Sequence, residues 1–268
     1  MISQPGLNSD ARFIRIPSGA IALGRALAML AVIVGIWAGV SRGFHVPDWM
    51  LPTPVEVFQR FITDWRSWMS DTGVTLLESV LGFGLGGGIG FVMGVVFAHS
   101  RLLENLFYPY AIALKTIPLV ALAPILAIWF PNGLASKVIM GAIITFFPCI
   151  VNTVMGLRAP SREMLDLMSS LAATRSQVFW KLRLPAALPS IFSALKISST
   201  LAVIGAIVAE MAGAQAGLGY QLLQADQRTD MTTTVVAVLL ASFAGMFFFG
   251  VVSLAESRAL YWIPPERR

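Results

Sequence analysis

The sequence predicts an all-α polytopic membrane protein with six transmembrane helices and both termini cytoplasmic. Three observations predict it. Hydrophobic residues make up 56% of the 268 residues and charged residues only 12%, against roughly 45–50% and 25% in soluble domains. One soluble core cannot bury that excess. The apolar residues gather in runs long enough to cross roughly 30 Å of hydrocarbon as helices. The basic residues alternate in abundance between the two sets of connecting segments, which marks a direction across the membrane.

The spans run at about 20–40, 72–97, 106–130, 135–157, 187–213 and 235–257. They divide the chain into a cytoplasmic tail at 1–19, a membrane domain at 20–260 whose longest inside loop is 158–186, and a second cytoplasmic tail at 261–268. With the N-terminus inside, Arg12, Arg15, Arg25, Arg101, Arg158, Arg162, Arg175, Lys181, Arg183, Arg258, Arg267 and Arg268 fall on the inner side. Arg42, Arg60, Arg66, Lys137 and Arg228 fall outside, and Lys115 and Lys196 lie within spans. The first span follows basic residues, as a cleaved signal peptide would, but it is long for that role and leads into further spans. It is read as a retained anchor.

Between the first two spans, Trp49, Trp65 and Trp68 stand among charged residues. Tryptophan favours the headgroup level, so a helix from about Pro54 to Met69 is expected along the outer membrane surface. In the second span, Gly82, Gly86, Gly90 and Gly94 recur every four residues and stack on one helix face. Bare backbone there lets a second helix approach closely enough to gain dispersion contacts that lipid cannot match.

Charges inside spans cost about 2.5–3.5 kcal/mol each at the helix centre on insertion scales, so Glu78, Lys115, Lys196 and Glu210 need reasons. The lysines can snorkel toward the cytoplasm. Lys196 and Glu210 share a helix face but lie about 21 Å apart along it, so they cannot pair within their own helix. Lys115 stands beside Thr116 in "KTIPLVALAP", where Pro118 and Pro124 free backbone carbonyls. Broken backbone at membrane depth is tolerated where it faces protein or a water-filled cavity. Lys115 and Thr116 therefore lead the candidates for lining a translocation path, with Glu78, Asn152 and Glu210 behind them.

The 158–186 loop is helical in pattern. Met164, Leu167, Met168 and Leu171 form one apolar stripe, Ser161 is placed to cap the helix, and Glu163 and Asp166 lie toward its positive end. A basic arm from Arg175 to Arg183 follows, closed by Pro185 and Pro189. On pattern alone two roles stay open: docking into another protein's groove, or lying on anionic lipid.

From Asp166 the chain runs D-x(5)-A-x(9)-L-x-L-P, ending at Pro185. This resembles the EAA loop of ABC-importer permeases, E-A-A-x(3)-G-x(9)-I-x-L-P. Asp166 stands for the Glu, Leu167 and Met168 for the two Ala, Ala172 for the Gly and Leu182 for the Ile. The segments "LPTPVEVF", "KTIPLVALAPILAIWF", "LPAALPSIFSALKIS" and "AIVAEMAGAQAGLGYQL" resemble the nitrate/sulfonate/taurine-type permeases, including the riboflavin and thiamine-precursor members. The resemblance covers about residues 25–260. It implies a coupling helix that sits in a cleft of a cytoplasmic ATPase, with Glu163, Asp166, Leu167, Leu171, Ala172, Thr174, Arg175, Leu184 and Pro185 as coupling residues. It also implies a homodimer in the bacterial inner membrane, two ATPase subunits that carry ATP and Mg, and an extracytoplasmic solute-binding protein.

This chain itself is expected to bind no cofactor. None of its four lysines, at 115, 137, 181 and 196, follows a glycine, so the phosphate-binding motif G-x-x-x-x-G-K-[ST] is absent. Cys149 is the single cysteine, which leaves no intrachain disulfide. His45 and His99 lie far apart with no H-E-x-x-H, and no nucleophile motif occurs, so an integral membrane enzyme fits poorly. An ion-coupled secondary transporter is the alternative function. It would use membrane carboxylates and no ATPase, but no internal repeat pairs the two halves of the chain.

Overall fold

Four long apolar helices dominate the computed structural model, which describes residues 18–44, 47, 49–131 and 133–262. The tails at 1–17 and 263–268 lie outside the described residues. No strand occurs among the described residues. The helices are α1 (Ser18–Gly43), α2 (Pro54–Thr63), α3 (Trp65–His99), α4 (Arg101–Thr116), α5 (Leu119–Trp129) and α6 (Leu134–Leu157). They continue as α7 (Arg162–Ser170), α8 (Arg175–Val178), a π-helical turn (Phe179–Arg183), α9 (Leu184–Gly213), α10 (Leu218–Gln227) and α11 (Met231–Ala259).

Helix α3, α6, the continuous helix Arg175–Gly213 and α11 are each long and apolar enough to cross a membrane by length and composition. In α1 the corresponding apolar stretch is the shorter Leu27–Gly43. The expected span at 106–130 is two helices, α4 and α5, broken at Ile117 and Pro118. Proline disfavours helical backbone at the residue before it, so α4 ends ahead of Pro118, and Pro118 itself caps α5 with extended backbone. The expected surface helix also differs. It ends at Thr63, and Trp65 to Met69 form the first turns of α3. The start of α2 was legible: Thr53 and Glu56 form a reciprocal capping box ahead of Pro54.

The core is built around α6, gripped by α3 on one side and α9 on the other. Along α3, a methyl added at Gly82 would sit 2.9 Å from the Val138 carbonyl oxygen, and one at Gly90 2.7 Å from that of Phe146. One at Gly94 would meet Thr153, and one at Gly86 would overlap Ala142 and Thr145. All four glycines therefore face α6 at backbone contact, where lipid chains could not match the packing. Gly156 of α6 meets Ala187 of α9 in the same way, and Gly205 of α9 meets Gly141. Beyond this trio, Phe248 and Val252 of α11 pack on Ala202 and Val203 of α9, and Ala123 and Leu126 of α5 pack on Met140 and Ala209.

The two ends of the bundle are chemically different. One gathers the end of α3, the end of α6, the start of α9 and the α7 segment, tied by a bidentate ion pair from Arg158 to Glu104 at 2.7 and 3.0 Å. The other gathers α2, α10 and the starts of α3 and α11 around Trp68, Leu218 and Val236.

Candidate functional site

Helix α7 is a short helix with both ends closed locally. Ser161 accepts a hydrogen bond from the Met164 amide, and its hydroxyl, followed by the amide of Glu163 itself, holds the Glu163 carboxyl below the usual carboxylate range. At the other end the Ala172 amide donates to the Ser169 carbonyl at 2.9 Å and the Ala173 amide to the Met168 carbonyl at 3.0 Å. That pair of bonds is a Schellman closure, and it requires left-handed backbone at the residue after the cap. Ala172 adopts it, with φ +52°. The position where the EAA pattern carries glycine is thus one whose backbone favours glycine.

With both ends closed, α7 holds its apolar stripe away from the bundle. Met164 is 52% exposed, Leu167 61% and Leu171 69%, far more than their size would dictate on a covered face. Asp166 is also exposed. After Ala173, Thr174 caps α8 through a second reciprocal box with Gln177, at 3.3 and 2.8 Å. From Arg175 the helix then runs unbroken to Gly213. Pro185 cannot donate a backbone hydrogen bond and its ring would strike the carbonyl four residues back. The π-helical turn at Phe179–Arg183 lies just before it, with the Leu184 amide bonding to the Phe179 carbonyl, and so loosens the helix where the ring needs room. Leu184 and Pro185 are half-buried at the root of α9. The α7 segment is therefore followed, after Thr174, by one continuous helix that reaches the end of a spanning segment.

At the opposite end, the structure brings Glu78 and Glu210 together. Glu210 is fully buried; it accepts a 2.7 Å hydrogen bond from the Thr75 hydroxyl and another from the Gly219 amide. The Glu78 carboxyl meets that of Glu210, and the buried Lys137 ammonium of α6 lies close to both. Asp71 accepts from the Gly217 amide at 2.9 Å and from the Gln221 side chain at 2.7 Å, while Thr75 accepts from the Leu218 amide at 2.9 Å. The turn before α10 is thereby clamped to α3 and α9. Gly217 has φ +105°, and a side chain there would run into the Glu210 carboxylate. Glycine alone fits both demands.

The remaining path candidates are not drawn into this cluster. Thr116 is exposed and its hydroxyl donates to the Ala113 carbonyl; Asn152 is half-buried and bonds the Pro148 carbonyl of its own helix. The Lys115 side chain lies outside the described residues. Sequence reasoning missed Thr75 and Lys137 as partners of the two glutamates, and Asp71 as the acceptor that holds the turn before α10. The available signal was the spacing of Asp71, Thr75, Glu78 and Gly82 along one face of α3. It also missed the partner of Lys196. That lysine does not simply snorkel but pairs with Glu256 of α11 at 2.7 Å, both groups being largely buried.

Comparison with known proteins agrees with this architecture. The family described as "Binding-protein-dependent transport system inner membrane component" matches residues 86–261. A probable ABC transporter permease protein of Haemophilus influenzae is 34% identical over 86% of this chain and 95% of its own length. The formylaminopyrimidine transport permease protein ThiX of Halalkalibacterium halodurans is 33% identical over 90% and 96%. The riboflavin transport system permease protein RibX of Chloroflexus aurantiacus is 32% identical over 90% of each chain. Among solved structures, an inward-facing MetNI methionine ABC transporter shares the fold, with TM-score 0.51 and 18% identity over 70% of this chain and 94% of that one. The chain belongs to the family of inner-membrane components of binding-protein-dependent transport systems, and is an ABC transporter permease of the inner membrane.

Proposed function

We propose that this chain is the membrane-spanning subunit of an importer for a small solute, driven by ATP that a separate subunit hydrolyses. The observation that carries the reading is α7: capped at both ends, presenting an exposed apolar stripe, and joined by the short turn at 171–174 to the continuous helix Arg175–Gly213. Two copies enclose a central path, with six spans each and both termini cytoplasmic. An ATPase subunit holds each α7 in a cleft, and a solute-binding protein delivers cargo on the other face. Closure of the ATPase pair moves the α7 segments, and α9 carries that displacement into the bundle, so that the path opens alternately to the two sides.

Coupling is assigned to Glu163, Asp166, Leu167, Leu171, Ala172, Thr174, Arg175, Leu184 and Pro185. Path lining is assigned to Lys115 and Thr116 at the α4–α5 break and to Asn152 on α6. Glu78 and Glu210, the other two path candidates, are assigned instead to bracing the end of the bundle away from the ATPase, because both are buried between helices there. Relatives named for formylaminopyrimidine, riboflavin and aliphatic sulfonate transport keep the solute class at a vitamin or vitamin precursor, a sulfonate, nitrate or another small organic anion, and the chain itself is assigned neither ATP nor metal. Co-purification with its ATPase, followed by solute-stimulated ATP hydrolysis in liposomes, tests the reading. Leu167→Glu is expected to abolish the complex or its stimulation. Solute uptake on an ion gradient with no ATPase bound would reject it in favour of a secondary transporter.

A further inference from the structure

We propose that the cavity behind the docking helix binds the phosphate headgroup of an anionic phospholipid, whose acyl chain lies in the apolar groove beside it. The cavity, of about 750 Å³, opens between α7 and the ends of α3, α6 and the Arg175–Arg183 helix. Arg101, Arg158, Arg162, Arg175, Arg183 and His99 line it. Arg158 is neutralised by Glu104. The other four guanidinium groups have no ion-pair partner among the described residues. Four like charges around one space repel one another unless an anion sits among them, and planar guanidinium groups match phosphate oxygens in pairs.

The second observation is the neighbouring groove. His99 and Phe179 line both the cavity and an apolar groove of about 500 Å³ completed by Val95, Val96, Ser100 and Leu103. A basic pocket running into an apolar groove fits an amphiphile with a phosphate at one end. The helix positions favour lipid over acidic side chains of an ATPase. At 100° per residue, Arg162, Leu165 and Ser169 face the cavity, on the side of α7 roughly opposite the Met164, Leu167 and Leu171 stripe. The site thus lies on the membrane side of the docking helix. Basic pockets between helices at the cytoplasmic surface are suited to anionic headgroups. The inference rests on reading the α7 end as the cytoplasmic face of an importer.

Native mass spectrometry of the permease–ATPase complex, and of the permease alone, titrated with phosphatidylglycerol or phosphatidylcholine tests it. Phosphatidylglycerol is expected to bind at a concentration about tenfold or more below phosphatidylcholine, since each arginine near an anionic headgroup contributes roughly a fivefold factor and two of them already exceed tenfold. The double variant Arg101→Gln, Arg183→Gln should lose that preference. The variant Arg101→Lys, Arg183→Lys should keep it, which guards against misfolding as the cause. An unchanged preference in the glutamine variant overturns the proposal. So does displacement of the lipid by millimolar inorganic phosphate, which would mark a free-phosphate site. Lipid bound to the isolated permease but absent from the complex overturns it as well, because the cavity then belongs to the ATPase. If no ATPase associates but the lipid preference and its loss are observed, the importer reading falls and the lipid site stands.

Discussion

Replacing Glu210 by alanine removes the acceptor on which the turn before α10 is hung. Two donors reach this carboxylate, the Thr75 hydroxyl and the Gly219 amide. They do not suffer equally. The Thr75 hydroxyl can turn to the Asp71 carbonyl at 3.1 Å in its own helix, so it keeps a partner. The Gly219 amide has no such alternative in the structure, and a buried unpaired donor costs roughly 1–3 kcal/mol. The void left by a fully buried side chain adds roughly 1–2 kcal/mol where the backbone cannot collapse. Together Glu210→Ala should destabilise by roughly 2–5 kcal/mol, while Glu210→Gln, which keeps one acceptor oxygen and the volume, should cost less than roughly half of that. The assay is the apparent melting temperature of the purified protein in detergent by tryptophan fluorescence, with amide hydrogen exchange at residues 217–222. An alanine variant that melts with the wild type and still protects the Gly219 amide would refute the view that Glu210 holds this turn.

Three further expectations follow the same physics. Lys196→Met leaves the Glu256 carboxylate buried without its partner and should lower stability by about 3–5 kcal/mol, whereas Lys196→Met with Glu256→Gln should recover most of the loss in the same melting assay. Ala172→Gly should tighten the end of α7 by up to about 1 kcal/mol, because left-handed backbone disfavours a side chain, partly offset by the greater freedom of glycine in the unfolded chain. Slower exchange of the amides at residues 172 and 173 would report this, and Ala172→Val should speed it. Burial alone would raise the Asp230 carboxyl, but hydrogen bonds from the Thr233 hydroxyl and amide, with the nearby Arg60, outweigh it and hold the group below its ordinary range. A depressed value in the folded protein means that the contribution is fully present above the unfolded value near about 3.9 and fades as pH falls through the folded value. Melting temperature against pH should therefore be flatter below pH of about 4 in Asp230→Asn than in the wild type.

The sequence by itself determined what depends on neighbours along the chain. Hydrophobic length marked α3, α6, α9 and α11 as spans, because a helix in lipid satisfies its own backbone and needs only enough apolar residues. The cap of α7 was readable because Ser161 bonds to an amide within three residues. The four-residue glycine repeat in α3 announced a contact face, and the 158–186 loop carried a pattern set by local turns. The tertiary structure alone decided which elements meet. Nothing local says that Gly82 to Gly94 lie on α6, that Lys196 finds Glu256 across 60 positions, or that Asp71, Thr75 and Glu210 converge on Gly217 to Gly219. The early end of α2 also depends on context, since Trp65 to Met69 could have continued that helix, whereas the break at Pro118 was already marked by its proline. A charge inside a span signals that a partner is required; its identity is set by which helix faces it, and that is a property of the packed bundle.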